Sequence, residues 1–389
     1  MKNVPEIRFK GFEEEWSQYI IDDVAIRYDN LRIPIKESKR KKGIVPYYGA
    51  NGIQDYVCGY THEGEYVLVA EDGANDLNNY PVQYVNGKVW VNNHAHVLQS
   101  KCKYATNKFM RFAISKLNIK PFLVGCGRTK LNSEVLMKLK INLPKVVSQS
   151  AISNYIYSND DIIELISKKI ASLKQLKSAC LISMFPQQGE TVPRVRFKGF
   201  DGEWKNIKLK DILVERHEMS TITFFLPQLS FTISEGVIKP ENRKTNKRDF
   251  LIKDKKNKKY IVTKIGDIIY NPANVVFGAI HRNNLCDGVV SPIYKIFYSE
   301  EDTKFVECIV RNPAFINKLT LYTEGTVTKL KTLKPESFLD MEVCITNDKA
   351  EQHQIASYFR NLDIQISEQE KRLDKLKQIK AACLDKMFV

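Results

Sequence analysis

Val4-Pro5-Glu6-Ile7-Arg8-Phe9-Lys10-Gly11-Phe12-Glu13-Glu14-Glu15-Trp16 returns as Val192-Pro193-Arg194-Val195-Arg196-Phe197-Lys198-Gly199-Phe200-Asp201-Gly202-Glu203-Trp204, nine of thirteen residues identical at an offset of 188. A second repeat closes each half. Leu173-Lys174, Lys177, Ala179-Cys180-Leu181 and Met184-Phe185 recur as Leu376-Lys377, Lys380, Ala382-Cys383-Leu384 and Met387-Phe388. The chain is a tandem duplication whose halves begin and end alike. Two long copies do not make a solenoid, which needs about three or more short repeats to bury a continuous core. They predict two related modules with pseudo-twofold symmetry and a seam near Gln187 to Thr191, and 389 residues suffice for two separate cores.

Each half closes in a long helix. Ile152, Ile156, Ile163, Ile166, Ile170, Leu173, Cys180 and Met184 fall on a 3-4 spacing, with Asn159 and Lys177 as polar members of the stripe. At an offset of 203 the stripe returns as Ile355, Phe359, Leu362, Ile366, Gln369, Leu373, Leu376, Lys380, Cys383 and Met387. A sustained heptad pattern asks for a partner helix, and the chain supplies its own. The expected fold is therefore α+β. It has a globular domain over residues 1–147, a helix over 148–186, a second globular domain over 187–347 and a second helix over 348–389, with the helices packed as an antiparallel coiled coil. An amphipathic helix docked on its own domain gives the same stripe. Length favours the coiled coil, because Ser148 to Phe185 would run about 57 Å at roughly 1.5 Å per residue, longer than one face of a domain of about 150 residues; that reach also exceeds one DNA turn of roughly 34 to 36 Å. Strand-like stretches at Tyr66-Val67-Leu68-Val69, Val89-Trp90-Val91 and Asp267-Ile268-Ile269-Tyr270 are broken by Gly, Asn and Pro turns.

The net charge of +15 is clustered. Lys36 to Lys42 and Lys239 to Lys259 together carry eleven of those charges. Such grouping is the footprint of a protein that neutralises phosphates, although a solvated loop rich in lysine reads the same way. The two offsets differ by 15, so the second globular domain holds a net insertion, placed most simply in the Lys239–Lys259 stretch. Eight cysteines without a C-x-x-C pair suit reduced thiols better than a disulfide frame or zinc site. With no apolar leader and no long apolar run, the reading is cytoplasmic, with no membrane partner.

Tyr47-Tyr48-Gly49-Ala50-Asn51-Gly52 and Glu71-Asp72-Gly73-Ala74-Asn75 both present Gly-Ala-Asn, and Trp90-Val91-Asn92-Asn93-His94-Ala95-His96 adds amides and imidazoles. Asn bonds adenine edges, Arg and Lys bond guanine, and aromatic rings cover thymine methyls. Turn chemistry explains the same residues, since Asn and Gly tolerate positive φ. His94 and His96 lack a third ligand at fitting spacing, so no metal is assigned. Leu123-Val124-Gly125-Cys126-Gly127 resembles a methyltransferase glycine turn only superficially, lacking the βαβ context, and Asn271-Pro272-Ala273-Asn274 departs at two positions from an adenine-methylation motif. Gly125 to Leu131, with Arg128 and Lys130, reads instead as a basic loop whose counterpart contains Lys329.

Two loosely similar globular domains, each followed by a long helix and opened by Pro-x-x-Arg-Phe-x-Gly-Phe-x-x-x-Trp, resemble the specificity subunit of type I restriction-modification enzymes over essentially the whole chain. The run from Pro46 through Asn75 to Val97 looks like a target-recognition domain of that family. Gly266-Asp267-Ile268-Ile269-Tyr270-Asn271, Gly278-Ala279-Ile280 and Val290-Ser291-Pro292-Ile293-Tyr294 look like another type of the same domain. Glu351-Gln352-His353-Gln354-Ile355-Ala356 resembles the start of the family's conserved helix, and the first copy departs from it with Ser148 in place of Glu.

The resemblance implies a non-catalytic reader of double-stranded DNA, each globular domain taking half of a bipartite target while the helices set the gap. Two modification subunits would supply S-adenosylmethionine chemistry on adenine N6, restriction subunits ATP- and Mg-dependent cleavage, and this chain no cofactor. Because the frames match but the interiors differ, the target should be asymmetric. Expected DNA-binding residues are Tyr48, Asn51, Asn75, Asn93 and His94 in the first domain and Arg243, Lys244, Lys247, Asn271 and Asn274 in the second, with Arg128, Lys130 and Lys329 on phosphate. The alternative readings are a stand-alone DNA-binding regulator or scaffold, and an enzyme with a spatially assembled site.

Overall fold

A computed structural model describes residues 4–127, 129–243, 258–324 and 332–389. Arg128, Lys244, Lys247, Lys329 and most of the Lys239–Lys259 stretch lie outside the described residues. The chain divides into two compact units, Met1–Ser167 with Lys371–Val389, and Lys168–Glu370. Two helices of 38 residues, α4 (Val146–Ser183) and α8 (Lys349–Lys386), each contribute one stretch to each unit.

The first unit is built on six strands: β2 (Ala25–Arg27), β3 (Lys42–Gly49), β4 (Gly52–Val57), β5 (His62–Ala70), β6 (Val82–Val91) and β7 (Ala95–Ser100). They lie in the order β2-β7-β5-β6-β3-β4, antiparallel except where β3 runs parallel to β6. The run Tyr66 to Ala70 is apolar throughout because β5 is covered on both faces. With a period of two, Val67 and Val69 join a core with Phe109, Met110 and Phe112 of helix α2 (Asn107–Ser115), while Tyr66 and Leu68 join Val85, Val89, Val91 and Val97. Gly64 and Gly87, paired across β5 and β6, have φ of +131° and +92°, conformations that glycine adopts readily, and the register of the ribbon runs through them unbroken.

The repeated ends of the two halves meet inside these units. In the first, β1 (Ser17–Ile20) pairs with β8 (Lys140–Leu143), and Trp16 just ahead of β1 packs edge-on to Phe109 at 5.5 Å and Phe388 at 6.2 Å. In the second, β9 (Lys205–Lys208) pairs with β19 (Glu342–Ile345), and Trp204 packs against Phe185 at 5.7 Å and Phe305 at 5.8 Å. The duplicated Trp and Phe are thus two halves of one aromatic plug, built twice.

Within the first unit the early turns of α4 lie beside the late turns of α8: Ile152 and Ile156 share a core with Cys383 and Met387, and Lys380 pairs with Asp160. In the second unit the late turns of α4 lie beside the early turns of α8, joined by Lys177–Asp363 at 2.5 Å and Lys174–Glu370 at 2.6 Å. In each unit the helices are antiparallel neighbours. Lys177, a polar member of the stripe, sits there because Asp363 faces it, and Asp363 also meets the buried Lys304 at 2.5 Å.

The remainder of the second unit is α+β with short strands. The strands β10 (Val214–Glu215), β18 (Lys295–Tyr298), β15 (Ile268–Tyr270) and β16 (Ile280–Arg282) form one antiparallel sheet. A second contains β11 (Met219–Ser220), β14 (Tyr260–Thr263) and β17 (Gly288–Val290), and a ribbon joins β12 (Ser230–Thr232) to β13 (Gly236–Ile238). Helix α5 (Thr303–Val310), which carries Phe305, is capped by Asp302. No helix among the described residues is long and apolar enough to cross a membrane.

Candidate nucleic-acid interface

Three turns of the first unit converge through hydrogen bonds that sequence distance hides. Asn51, in the turn between β3 and β4, donates from Nδ2 to Gly73 O (2.9 Å) and accepts from Asn75 N at Oδ1 (2.9 Å). Asn92 N donates to Tyr48 O, and Glu71 N to His94 O. His94 Nδ1 lies 2.6 Å from Asp72 Oδ1, and its backbone N donates to Asn92 Oδ1. Asn93 stands exposed at the tip of this last turn, with no side-chain partner among the described residues. Tyr48 is half-buried against Val91 and its neighbours, and burial, then Tyr56, raises its phenol pKa, so it presents a neutral hydroxyl.

Beneath these turns lies an ion network. Arg32 donates to Glu71 Oε2 (2.6 Å) and Ala95 O (2.9 Å), Lys130 Nζ meets Glu71 Oε1 at 2.8 Å, and the buried His96 bridges Asp29 Oδ2 (2.7 Å) and Leu131 O (2.8 Å). Burial pushes the Asp29 and Glu71 carboxyls upward. The hydrogen bond and charge of His96 for Asp29, and the hydrogen bonds of Lys130 and Arg32 for Glu71, outweigh that push and hold both below their usual values. Asp29, Glu71 and His96 bring ligand atoms within 4.8 Å of one another, as a cation site would. Their oxygens already face a guanidinium, an ammonium and an imidazole, so the cluster fits a brace for the turns and not a metal centre.

Tyr48, Asn51, Asn75, Asn93, His94 and Lys130 therefore share one neighbourhood, in unequal states. Asn51 uses both amide atoms within the chain, His94 is paired with Asp72, and Lys130, proposed for phosphate, is paired with Glu71 while remaining about half exposed. The sequence reading did not find Asp29, Arg32 and Glu71. Their partners lie 39 to 67 residues away, and only the Asp29-x-x-Arg32 spacing hinted at a pair.

In the second unit Arg243, Asn271 and Asn274 line a cavity of about 510 Å³ with Phe231, Thr232 and Tyr294. Asn271 Oδ1 accepts from Ala273 N (3.0 Å), shaping the turn that leads to Asn274. His281 underpins the cavity: Nε2 donates to Ile233 O (2.7 Å), and Nδ1 accepts from Arg311. The aromatic wall of Phe231 and Tyr294, 5.1 Å apart, was not anticipated from sequence.

Residues 13–175 match the type I restriction modification DNA specificity domain. A putative type I restriction enzyme specificity subunit of Haemophilus influenzae is 47% identical over 143 residues, covering 37% of this chain and 36% of that protein. The type I restriction enzyme EcoprrI specificity subunit of Escherichia coli is 27% identical over 146 residues, 38% of this chain and 34% of that protein. The chain thus spans about a third of the length of the curated relatives it matches. Among solved structures, the type I restriction-modification system S subunit from M. genitalium aligns over 99% of both chains with a TM-score of 0.66 at 12% identity, a likeness of fold.

Proposed function

We propose that this chain, which belongs to the type I restriction-modification specificity-subunit family, is the DNA-reading subunit of such a complex and performs no bond chemistry itself. The observation that carries this reading is the convergence of Tyr48, Asn51, Asn75, Asn93 and His94 on one surface of the unit whose sequence matches the DNA specificity domain, with Lys130 beside them. Amide and imidazole groups held by a rigid ion network suit base-edge readout, and lysines suit phosphate positioning.

The second unit takes the other half-site. Arg243, Asn271 and Asn274, which line its cavity, with Lys244 and Lys247 are its proposed contacts, and Arg128, Lys130 and Lys329 are the residues proposed for phosphate. One unit presents turns and the other a concavity, so the half-sites differ and the target is asymmetric. Helices of about 57 Å set the spacing and dock two modification subunits. S-adenosylmethionine belongs to those subunits, and ATP and Mg to restriction subunits. Asp29 and Glu71 support the non-catalytic role, since cations and His96 already engage them.

Methylome sequencing of cells co-expressing this chain with a compatible modification subunit, against cells with that subunit alone, tests the reading. The expected result is a new adenine mark confined to a split, asymmetric motif. No new mark from an assembled complex would leave a stand-alone DNA-binding scaffold, and a palindromic motif would refute the asymmetry.

A further inference from the structure

Thr223-Phe224-Phe225-Leu226 forms a tight turn beyond β11. Thr223 N donates to Leu226 O (3.2 Å) and Leu226 N to Thr223 Oγ1 (3.0 Å). Ile222 and Leu226 anchor it on Tyr260, Val262 and Val289. Between these anchors Phe224 is 93% exposed and Phe225 84%, their rings edge-to-face at 5.4 Å. Turn tips ordinarily carry Gly, Asn, Asp or Pro. Two phenylalanines there add nothing to the core, so the fold does not explain them.

Their surroundings do. The strand β11 pairs with β14 through Met219 with Ile261 and Ser220 with Tyr260, so the turn leaves β11 at the end where the exposed Lys258 and Lys259 lead into β14. Lys258 Nζ lies 5.6 Å from the Tyr260 ring centre, and both lysines close the basic stretch that begins at Lys239. A protein partner asks for a contiguous apolar face of some hundreds of Å². Here two rings stand on a narrow tip beside cations. Phosphate-binding lysines next to a projecting apolar wedge are the combination by which proteins unstack and bend duplex DNA.

We propose that the Thr223–Leu226 turn is an aromatic wedge that enters duplex DNA between two base pairs from the minor groove, with Lys258 and Lys259 on the flanking phosphates. The proposal rests on the DNA-reading role and adds to it a deformation of the second half-site, read through the sequence dependence of unstacking.

The test uses the chain assembled with modification subunits, on duplexes carrying the methylated motif. Each step of the second half-site is replaced in turn by 2-aminopurine, and the ends are labelled for energy transfer. Wild type should brighten one step and shorten the end-to-end distance. Phe224→Ala/Phe225→Ala should lose both signals and bind roughly tenfold more weakly, with its melting temperature unchanged because both rings are solvent-exposed. Phe225→Trp should retain the unstacking. A double variant that unstacks and bends like wild type overturns the wedge. So does one that fails to assemble with modification subunits before DNA is added, which would make the tip a protein contact. Wild type that binds its motif without unstacking sinks the wedge alone, whereas wild type without sequence-specific binding sinks the DNA-reading role as well.

Discussion

Arg8 and Arg196 hold the same place in the repeat, but their partners differ. Arg196 gives Nε and Nη2 to the fully buried Glu351 at 2.6 and 2.9 Å, and its other hydrogen bonds reach Asp201 O and Gly202 O. At the matching helix position the first copy has Ser148. Its hydroxyl donates to Glu14, which stands where the second copy has Gly202, and among the described residues Arg8 donates to Glu13 O at 3.1 Å. The carboxylate has moved from helix to loop, and a bidentate ion pair has become a hydroxyl–carboxylate bond. One joint between opening segment and long helix thus tolerates two chemistries, and the two should fail differently.

The largest expected effect is at the ion pair. Glu351→Ala leaves the Arg196 guanidinium without its carboxylate and should destabilise the second unit by about 3–5 kcal/mol. Denaturant unfolding measures the loss, and hydrogen exchange should place it in the first turns of α8. A loss below about 1 kcal/mol would mean the two joints are equivalent after all.

Acid should separate the units next. Burial first, then the Arg311 charge, lowers His281 to about 4. The unfolded chain takes up this proton near pH 6.5, so the contribution to stability is complete above that value. It is lost as pH falls toward about 4, up to about 3 kcal/mol in the second unit. Burial lowers His62 in the first unit as well, so the comparison is made against His281→Gln, which should flatten the decline in melts taken from pH 7 to 5. The Asp29 carboxyl, held low in the first unit, acts in a different window. Its contribution is present above about pH 3.9 and disappears only as pH falls through its lowered value. Asp29→Asn should remove that acid limb.

Asn93→Ala touches neither joint. It should leave stability unchanged and weaken reading at the first half-site alone, by about 1–3 kcal/mol in binding to sequence-varied duplexes. Equal losses at both half-sites would remove Asn93 from the interface. Smallest is Ser148→Ala, about 1 kcal/mol of helix-start stability, seen as a small shift in the unfolding midpoint.

The sequence carried the frame well because its signals are local or duplicated. The stripes predicted helices beginning at 148 and 348, and the helices run Val146–Ser183 and Lys349–Lys386. Tyr66 to Val69 and Val89 to Val91 are in strands, as is Ile268–Tyr270. The strand β3 was hidden, because Lys42 at its start read as part of a charge run and its bulges at Lys42/Val45 and Tyr47/Tyr48 disturb a period of two. The Gly-Ala-Asn turns were noticed for their chemistry, yet nothing local shows that Asn51 joins them by bonding Gly73 and Asn75. In the second unit the cavity is assembled from strands and turns spread between Phe231 and Tyr294, a distance over which side-chain pattern carries no phase.

The paired seams have a consequence for the chain as a path. Ile7 N donates to Lys386 O as Val195 N donates to Ser183 O, and each bond lies beside its own Trp–Phe plug. At one seam a short peptide from Pro186 to Thr191 also makes the connection. At the other, the same hydrogen bond and ring contact are present. Each seam is held by the same backbone bond and the same ring contact, so the contacts at either one do not depend on a peptide passing through it. A circular permutant opened between Gln187 and Thr191, with residue 389 joined to residue 4 by a linker of similar length, should keep both plugs and both helix pairings.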